Sequence, residues 1–171
     1  MLNPFKKKYT ESELEVFDFL SNVRYFEGLS HSELERFLPA IHYRKYVKDE
    51  VVFFSNDPSG AIYIIKQGKV KLTIDIKDDF ETIMNLEEPA CFGENALLED
   101  KKRLYTAIIA SEQAELMVFP SYAIQEVFAN NSQIKSKMIT SLAEYYNDNN
   151  LRMFKSYKSS FGFFNLSQMF E

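Results

Sequence analysis

The sequence predicts a mainly β domain with α-helices at both ends. Short strand-like runs separated by turn residues follow one another between about residues 42 and 120, whereas capping patterns and helical spacing occupy the two ends. Strands this short and evenly spaced are typical of a sandwich, a barrel or a jelly roll. At 171 residues, the chain is long enough for one domain with a substantial core.

The N-terminal region contains two capping boxes, in which a hydroxyl residue and a glutamate three positions later satisfy the N–H groups of a helix start. The pair Thr10 and Glu13 predicts a helix over residues 11–21, and the pair Ser30 and Glu33 predicts a second helix. The apolar stripe of the second helix consists of Leu34, Phe37, Leu38 and Ile41. Pro39 should end or kink this helix, because proline has no backbone N–H to donate.

From His42 the spacing of apolar residues changes to two, the period of a β-strand. The clearest strand covers residues 69–76, where the alternate residues that should face the core are Val70, Leu72, Ile74 and Ile76. Other strand-like runs cover residues 51–54, 61–66, 80–86, 105–110 and 114–119. Cys91 is expected on a further, buried strand.

Beyond Pro120 the spacing is helical again, which predicts helices over residues 122–128 and 132–157 and a stop at Gly162. Along the longer helix, apolar residues recur at alternating spacings of four and three, as in a coiled-coil seam. These residues are Ile134, Met138, Leu142 and Tyr145. The seam predicts a homodimer through this helix, although polar residues 147–150 interrupt it.

Charge and composition argue against several classes of function. The formal net charge is -5, so the chain lacks the basic character that binds nucleic acid phosphates, and we expect no DNA binding. No apolar run approaches the length of a membrane span. The single cysteine, Cys91, cannot form an intramolecular disulfide, and a cytoplasmic location is the default expectation.

Patterns for catalysis or metal binding do not occur in the sequence. The only histidines are His31, within a capping box, and His42, near a strand start, and neither has a second ligand at a zinc-binding spacing. No nucleophile elbow, Walker loop or HExxH motif is present. We therefore expect neither an enzyme nor a metal site.

The segment with recognisable chemistry runs from Phe92 to Arg103, between two predicted strands. Gly93 opens a short helical turn, where backbone amides can approach an anion closely. Arg103 offers a planar fork of donors for phosphate oxygens. Glu94 would be repelled by phosphate, so it is better suited to accept a hydrogen bond from a sugar hydroxyl. Together these residues indicate a site for a ribose phosphate.

The pattern Phe92-Gly93-Glu94-x-Ala96-Leu97, followed by Arg103 and Thr106, resembles the phosphate-binding cassette of cyclic-nucleotide-binding domains. Residues 22–30 and 62–70 also resemble the family's entry into its N-terminal helix and its strand and turn pattern. The resemblance implies an eight-stranded jelly roll (double-stranded β-helix) flanked by helices, as in kinase regulatory subunits, gated channels and catabolite activator proteins.

The resemblance also divides the chain. Residues 1–21 would form an N-terminal helical segment, and residues 22–146 the cyclic-nucleotide-binding jelly roll with its C-terminal helices. Residues 147–171 would hold the end of the last helix and a Phe-rich tail.

A cyclic nucleotide, cyclic AMP or cyclic GMP, is the ligand that the resemblance implies, with no further cofactor. The backbone amides of Gly93 and Ala96 would bind the cyclic phosphate, and Arg103 would pair with it. Glu94 would hold the ribose 2′-hydroxyl, and Phe92 belongs to the same site. The C-terminal helices would move over the base and signal to a downstream protein whose identity the sequence leaves open.

Three residues of the candidate site depart from the family pattern. Leu104 and Tyr105 follow the arginine where the family has two small residues, and Asn95 stands where the family prefers an apolar one. A bulky side chain there could crowd the pocket or point outward, so a degenerate, ligand-free interaction domain stays open. A catabolite activator-like transcription regulator truncated before its DNA-binding domain is a second alternative, because residues 158–171 cannot build a helix-turn-helix domain.

Overall fold

The computed structural model describes residues 8–77 and 79–160. Its strands are β1 (His42–Val47), β2 (Val51–Phe53), β3 (Ala61–Gln67), β4 (Lys69–Ile76), β5 (Asp79–Glu87), β6 (Cys91–Phe92), β7 (Thr106–Ile109) and β8 (Gln113–Pro120). They form two antiparallel four-stranded sheets, with the orders β1-β8-β3-β6 and β2-β7-β4-β5. This arrangement is the expected eight-stranded jelly roll. The predicted strands are confirmed, with small shifts at their ends.

Strands β3 and β8 lie inside the first sheet and are buried on both faces. On β3, Ile65 faces the interior of the sandwich, whereas Ile62 and Ile64 pack against the helices. On β8, Leu116 and Met117 divide between the two cores in the same way. A strand that is covered on both faces needs apolar residues at successive positions, which is why the runs 62–65 and 116–119 contain no charged or amide side chain.

Strand β4 departs from the predicted alternation at its far end. Val70 and Leu72 are buried as predicted, but Ile74 is only partly buried and Ile76 is 44% exposed. The last β4 residue that pairs with β7 is Thr73, so the following residues pair only with β5. The prediction that Ile74 and Ile76 face the core was wrong, because this two-stranded ribbon extends past the strands that would cover it.

In the described part of the chain, four α-helices flank the sheets: α1 (Glu11–Leu20), α2 (His31–Leu34), α3 (Ser121–Asn130) and α4 (Ser132–Ser159). Both capping boxes are present, since the N–H groups of Thr10 and Ser30 each donate to a glutamate carboxylate at 2.7 Å. After α2 the chain continues as a 3-10 helix over Glu35–Ala40. Pro39 lies in this segment and cannot supply an α-helical hydrogen bond, so the α-helix is shorter than its apolar stripe.

Helix α4 packs its apolar stripe into the core of its own domain. Ile134 and Met138 are fully buried and Leu142 is 2% exposed, in one cluster with Phe17 and Leu20 of α1. These residues cannot also contact a second copy of the chain. The prediction that they form a dimer seam was therefore wrong, because the same spacing serves packing inside the domain. The homodimer through this helix stays a prediction.

An ion pair joins the start of α4 to the N-terminal helices. Nζ of Lys137 lies 2.7 Å from Oε2 of Glu33, and the side chain of Asn131 caps α4 by accepting the N–H of Ile134 at 3.0 Å. Burial alone would raise the pKa of Glu33, but hydrogen bonds from Lys137 and Ser30 outweigh burial and lower this pKa below its usual value. The pair thus stabilises the charged carboxylate and the position of α4.

The remaining expectations for the helices concern membranes and the C-terminus. Within residues 8–77 and 79–160, no helix combines the length and apolar character needed to cross a membrane. Helix α4 runs slightly further than predicted, to Ser159. The predicted stop at Gly162 and the Phe-rich tail lie outside the described residues.

Replacing Met138 with alanine should destabilise the fold. Removal of a fully buried methionine side chain leaves a cavity and costs about 2–5 kcal/mol, so urea unfolding of Met138→Ala should show a loss in that range. The matched control is Leu151→Ala on the same helix, where the side chain is 51% exposed and the change should stay within about 0.5 kcal/mol. Equal losses in the two variants would contradict the packing of α4 described above.

The ion pair between Glu33 and Lys137 should make stability depend on pH. Folding lowers the pKa of Glu33, so its contribution is fully present above the unfolded value of about 4.3 and is lost as the pH falls through the folded value. Glu33→Gln should therefore be less stable than the parent at neutral pH, and the gap should close in acid. Urea unfolding over a pH series measures this gap. Glu112→Gln removes an exposed partner of Lys48 and serves as the control. If the difference in free energy of unfolding between the parent and Glu33→Gln did not change with pH, the stabilising role of the Glu33 carboxylate would be contradicted.

Candidate functional site

The loop between β6 and β7 begins with a left-handed residue. Gly93 has a φ of +74° and is followed by a buried 3-10 turn, Glu94–Leu97. A Cβ at this position would lie 2.5 Å from Nη1 of Arg103, and the positive φ disfavours side chains in any case. Glycine is therefore required both for the turn and for the close approach of Arg103.

The guanidinium of Arg103 is buried at the base of this loop. The residue is 3% exposed, Nη1 donates to the carbonyl oxygen of Gly93 at 3.0 Å, and Nη2 donates to that of Ala61 at 2.7 Å. The guanidinium carbon lies 4.1 Å from the ring centroid of Phe53, a cation–π contact. Arg103 thus joins β2, β3 and the loop.

The guanidinium of Arg103 forms no ion pair in the described part of the chain, and the Glu94 carboxylate offsets the effect of burial on its charge only in part. No carboxylate among residues 8–77 and 79–160 forms an ion pair with it, and its Nε has no hydrogen-bond partner there. Burial lowers the pKa of the guanidinium, but an arginine stays protonated in a protein. A buried cation without an ion pair is costly, so an anion at this position would stabilise it.

Tyr105 faces inward and contacts the start of the loop. The N–H of Gly93 donates to the Tyr105 hydroxyl at 2.8 Å, and this hydroxyl donates to Oε2 of Glu94 at 3.0 Å. Its ring centroid is 5.8 Å from that of Phe53. Burial and the nearby Glu94 carboxylate raise the pKa of Tyr105, so its hydroxyl remains a neutral donor.

Leu104 points outward and is 65% exposed. Since Tyr105 faces inward, only one of the two bulky residues enters the site. The two amides expected to bind phosphate already have partners. The amide of Gly93 donates to Tyr105, and the amide of Ala96 donates to the carbonyl oxygen of Gly93 at 3.1 Å.

Asn95 holds the loop together from inside. It is 7% exposed, and its Oδ1 accepts a hydrogen bond from the Ser59 hydroxyl at 2.7 Å. Its Nδ2 donates to the carbonyl oxygen of Lys102. These partners explain why a polar residue stands where the family prefers an apolar one.

The remaining cassette residues are packed or attached to α3. Phe92 is 1% exposed and Ala96 is fully buried. The carbonyl oxygen of Ala96 accepts a hydrogen bond from the Ser121 hydroxyl at 3.0 Å, and that of Leu97 accepts one from the Gln125 amide at 3.1 Å. The 3-10 turn is therefore bonded directly to the first turns of α3.

A cavity of about 370 Å³ opens beside the loop. Glu94 and Tyr105 line one side of it, and apolar side chains of β4 and β5 line another, namely Leu72, Met84 and Leu86. Helix α4 and the N-terminal region contribute Arg24, Tyr25, Tyr145, Asn149 and Arg152. The lining includes Tyr105 but not Arg103.

Sequence patterns did not reveal the contribution of α4 to this cavity. Tyr145, Asn149 and Arg152 are spaced by four and three residues and lie on one helix face, a signal that was present in the sequence. The predicted dimer seam includes Tyr145. Asn149 and Arg152 are polar, so a search for apolar spacing does not find them. The Arg24 guanidinium lies 5.4 Å from the Tyr145 ring centroid and 3.9 Å from Asp148.

The carboxylate of Glu94 lies among further tyrosines. Burial is the largest cause of the raised pKa values of Tyr25, Tyr145 and Tyr146, and Glu94 raises each of them further, that of Tyr146 to about 12. These hydroxyls stay protonated at neutral pH. Among the residues that the structure describes, no group of three or more histidine, cysteine or acidic side chains could hold a metal ion.

Comparison with known proteins gives one family and several relatives. The family described as "Cyclic nucleotide-binding domain" matches residues 43–131, just over half of the chain. The Cyclic AMP receptor protein of Thermus thermophilus is 30% identical over 93 residues, which cover 54% of this chain and 43% of that protein. The cGMP-dependent protein kinase egl-4 of Caenorhabditis briggsae is 26% identical over 109 residues, which cover 63% of this chain and 15% of the kinase. The chain spans less than half the length of either relative.

A solved structure shares the fold as well. The sensor domain of the transcriptional regulator DNR from Pseudomonas aeruginosa matches with a TM-score of 0.69 at 19% identity, covering 82% of this chain and 94% of that domain. Among the residues that the structure describes, the strands lie between positions 42 and 120, so the match extends into the flanking helices. At this identity the likeness concerns the fold alone.

Asn95→Leu should destabilise the loop, although it introduces the residue type that the family prefers. The buried Ser59 hydroxyl and the Lys102 carbonyl would both lose their partner, and an unsatisfied buried group such as the Ser59 hydroxyl costs about 1–3 kcal/mol. We expect the free energy of unfolding in urea to fall by at least about 1 kcal/mol. Leu104→Ala, at an exposed position of the same loop, should change it by less than about 0.5 kcal/mol. An Asn95→Leu variant as stable as the parent would mean that these hydrogen bonds do not hold the loop.

Proposed function

The chain belongs to the cyclic nucleotide-binding domain family, and from this premise we propose that it is a regulatory module that binds cyclic AMP or cyclic GMP in the cavity between the loop and α4. The relatives named for cyclic AMP and for cGMP lie at similar identity, 30% and 26%, so both nucleotides are candidates. The proposed role is sensing and not catalysis.

The buried guanidinium of Arg103, which has no ion pair and whose Nε has no hydrogen-bond partner in the described part of the chain, is the observation that carries this proposal. A cyclic phosphate has one negative charge and several acceptor oxygens, so it would supply both a counter-ion and a partner for Nε, the nitrogen without one. Hydrogen bonds between a guanidinium and a phosphate are charge-assisted and stronger than neutral ones. The carbonyl groups of Gly93 and Ala61 that now accept from Arg103 are neutral and compensate the charge only in part.

The other walls of the cavity suit the rest of a nucleotide. Glu94 is the proposed acceptor for the ribose 2′-hydroxyl. The apolar side formed by Leu72, Met84 and Leu86 would take the face of a purine base, and Tyr145 and Asn149 of α4 would cover it. These assignments rest on residue type and position.

The proposed signal is a movement of α4. Its first part is buried up to Leu142, so the part free to respond begins near Tyr145, where the helix lines the cavity. A nucleotide would shift this part only if it binds the two positions of the helix with different affinity. We propose that this movement of α4 is transmitted to another protein. We also propose a homodimer through the exposed surface of α4 around Leu151.

A ligand-free interaction domain is the second candidate, and the inward position of Tyr105 favours it. The Tyr105 hydroxyl forms hydrogen bonds with the Gly93 amide and with a Glu94 oxygen, the groups that a ligand would use. Titration with cyclic AMP and cyclic GMP separates the two candidates. For either one we propose a cytoplasmic protein that does not bind DNA, on the basis of its net charge of -5.

Arg103→Ala should weaken nucleotide binding by at least about tenfold, since a hydrogen bond to a charged group contributes about 1.5–3 kcal/mol. Arg103→Lys should recover only part of the loss, because a point charge cannot reproduce the planar fork. Isothermal titration calorimetry with both nucleotides measures these affinities, and circular dichroism checks that each variant is folded. Lys101→Ala removes a neighbouring exposed charge and should bind like the parent. Equal affinities of the parent and Arg103→Ala would show that this loop is not the phosphate site.

A further inference from the structure

We infer that Tyr105 is a built-in occupant of the nucleotide site, so that a cyclic nucleotide binds only by displacing the Tyr105 hydroxyl from Gly93 and Glu94. The inference rests on the proposed function, because it names the residue that competes with the proposed ligand. Tyr105 would then set the affinity of the site.

The Tyr105 hydroxyl uses the groups that the loop would offer to a ligand. It accepts from the N–H of Gly93 at 2.8 Å and donates to Oε2 of Glu94 at 3.0 Å. A sugar hydroxyl has the same combination of one donor and an acceptor oxygen. The Gly93 amide has a single hydrogen, so it cannot serve Tyr105 and a phosphate oxygen equally well. Tyr105 and the ligand therefore compete for it.

The ring of Tyr105 adds a steric barrier to the hydrogen bonds. Its centroid lies 5.8 Å from that of Phe53, and the Arg103 guanidinium lies 4.1 Å from the same Phe53 ring. Tyr105 lines the cavity, whereas Arg103 does not. A ring at this position, lining the cavity beside the Phe53 ring that Arg103 covers, leaves less room for a phosphate that approaches Arg103 from the cavity.

The outward position of Leu104 indicates that the inward position of Tyr105 is specific. Leu104 is 65% exposed, so the loop keeps one bulky side chain out of the site and turns the other one in. The side chain that is turned in carries a hydroxyl with a partner on each side. An apolar residue at position 105 would leave both the Gly93 amide and the Glu94 carboxylate without these hydrogen bonds.

The test is a calorimetric titration of the parent, Tyr105→Phe and Tyr105→Ala with cyclic AMP and with cyclic GMP. Tyr105→Phe removes both hydrogen bonds and keeps the ring, so it should bind about tenfold more tightly than the parent. Tyr105→Ala also removes the ring and should bind more tightly still. Tyr122→Phe deletes the hydroxyl of a tyrosine that is 73% exposed and does not line the cavity, so it should match the parent.

The outcomes separate this inference from the proposed function. Variants at position 105 that bind no more tightly than a parent that does bind would overturn the inference and leave the proposed function standing. No heat from either nucleotide with any of these proteins would overturn both. Binding by Tyr105→Ala together with none by the parent would support the inference in its strongest form. If Tyr105→Ala proves unfolded by circular dichroism, Tyr105→Phe decides alone.

Discussion

Burial of the Arg103 guanidinium is the constraint on which the candidate site depends. The charge leaves water only because the carbonyl groups of Gly93 and Ala61 and the ring of Phe53 surround it. Each of these neighbours is restricted in turn, since position 93 must lack a Cβ and position 53 must present an aromatic face. Strands β2 and β3 and the loop therefore all contact the Arg103 guanidinium, so a shift of one of them changes the contacts of the other two.

Helix α4 divides into two parts with different surroundings. Up to Leu142 it belongs to the core, and the ion pair of Lys137 with Glu33 holds it against the N-terminal helices. From Tyr145 onward it lines the cavity. The second part can shift with a smaller loss of buried apolar surface than the first. A helix anchored at one end and partly exposed at the other is well suited to report on the contents of a cavity.

The sequence could predict whatever depends on local chemistry, including the strands, the capping boxes and the common loop of Gly93, Glu94 and Arg103. It could not predict the exposed end of β4, because exposure of Ile76 depends on where β7 stops. The stripe of α4 was assigned to a dimer because spacing alone does not identify which surface covers it. The sequence left open whether the bulky side chains crowd the pocket or point outward, because the orientations of Leu104 and Tyr105 depend on the path of the loop into β7.

Two hydrogen bonds from α3, donated by Ser121 and Gln125, hold the 3-10 turn at its carbonyl groups. A displacement of that turn must break both bonds or carry α3 with it. Helix α3 leads into the anchored start of α4, where Asn131 forms the cap. The loop therefore reaches α4 by two routes, across the cavity to its partly exposed end and along the chain to its fixed end. A force that the loop applies across the cavity acts at a distance from the anchored end of the helix, so it exerts a torque about that end, and rotation about the anchored end is the motion that this geometry favours.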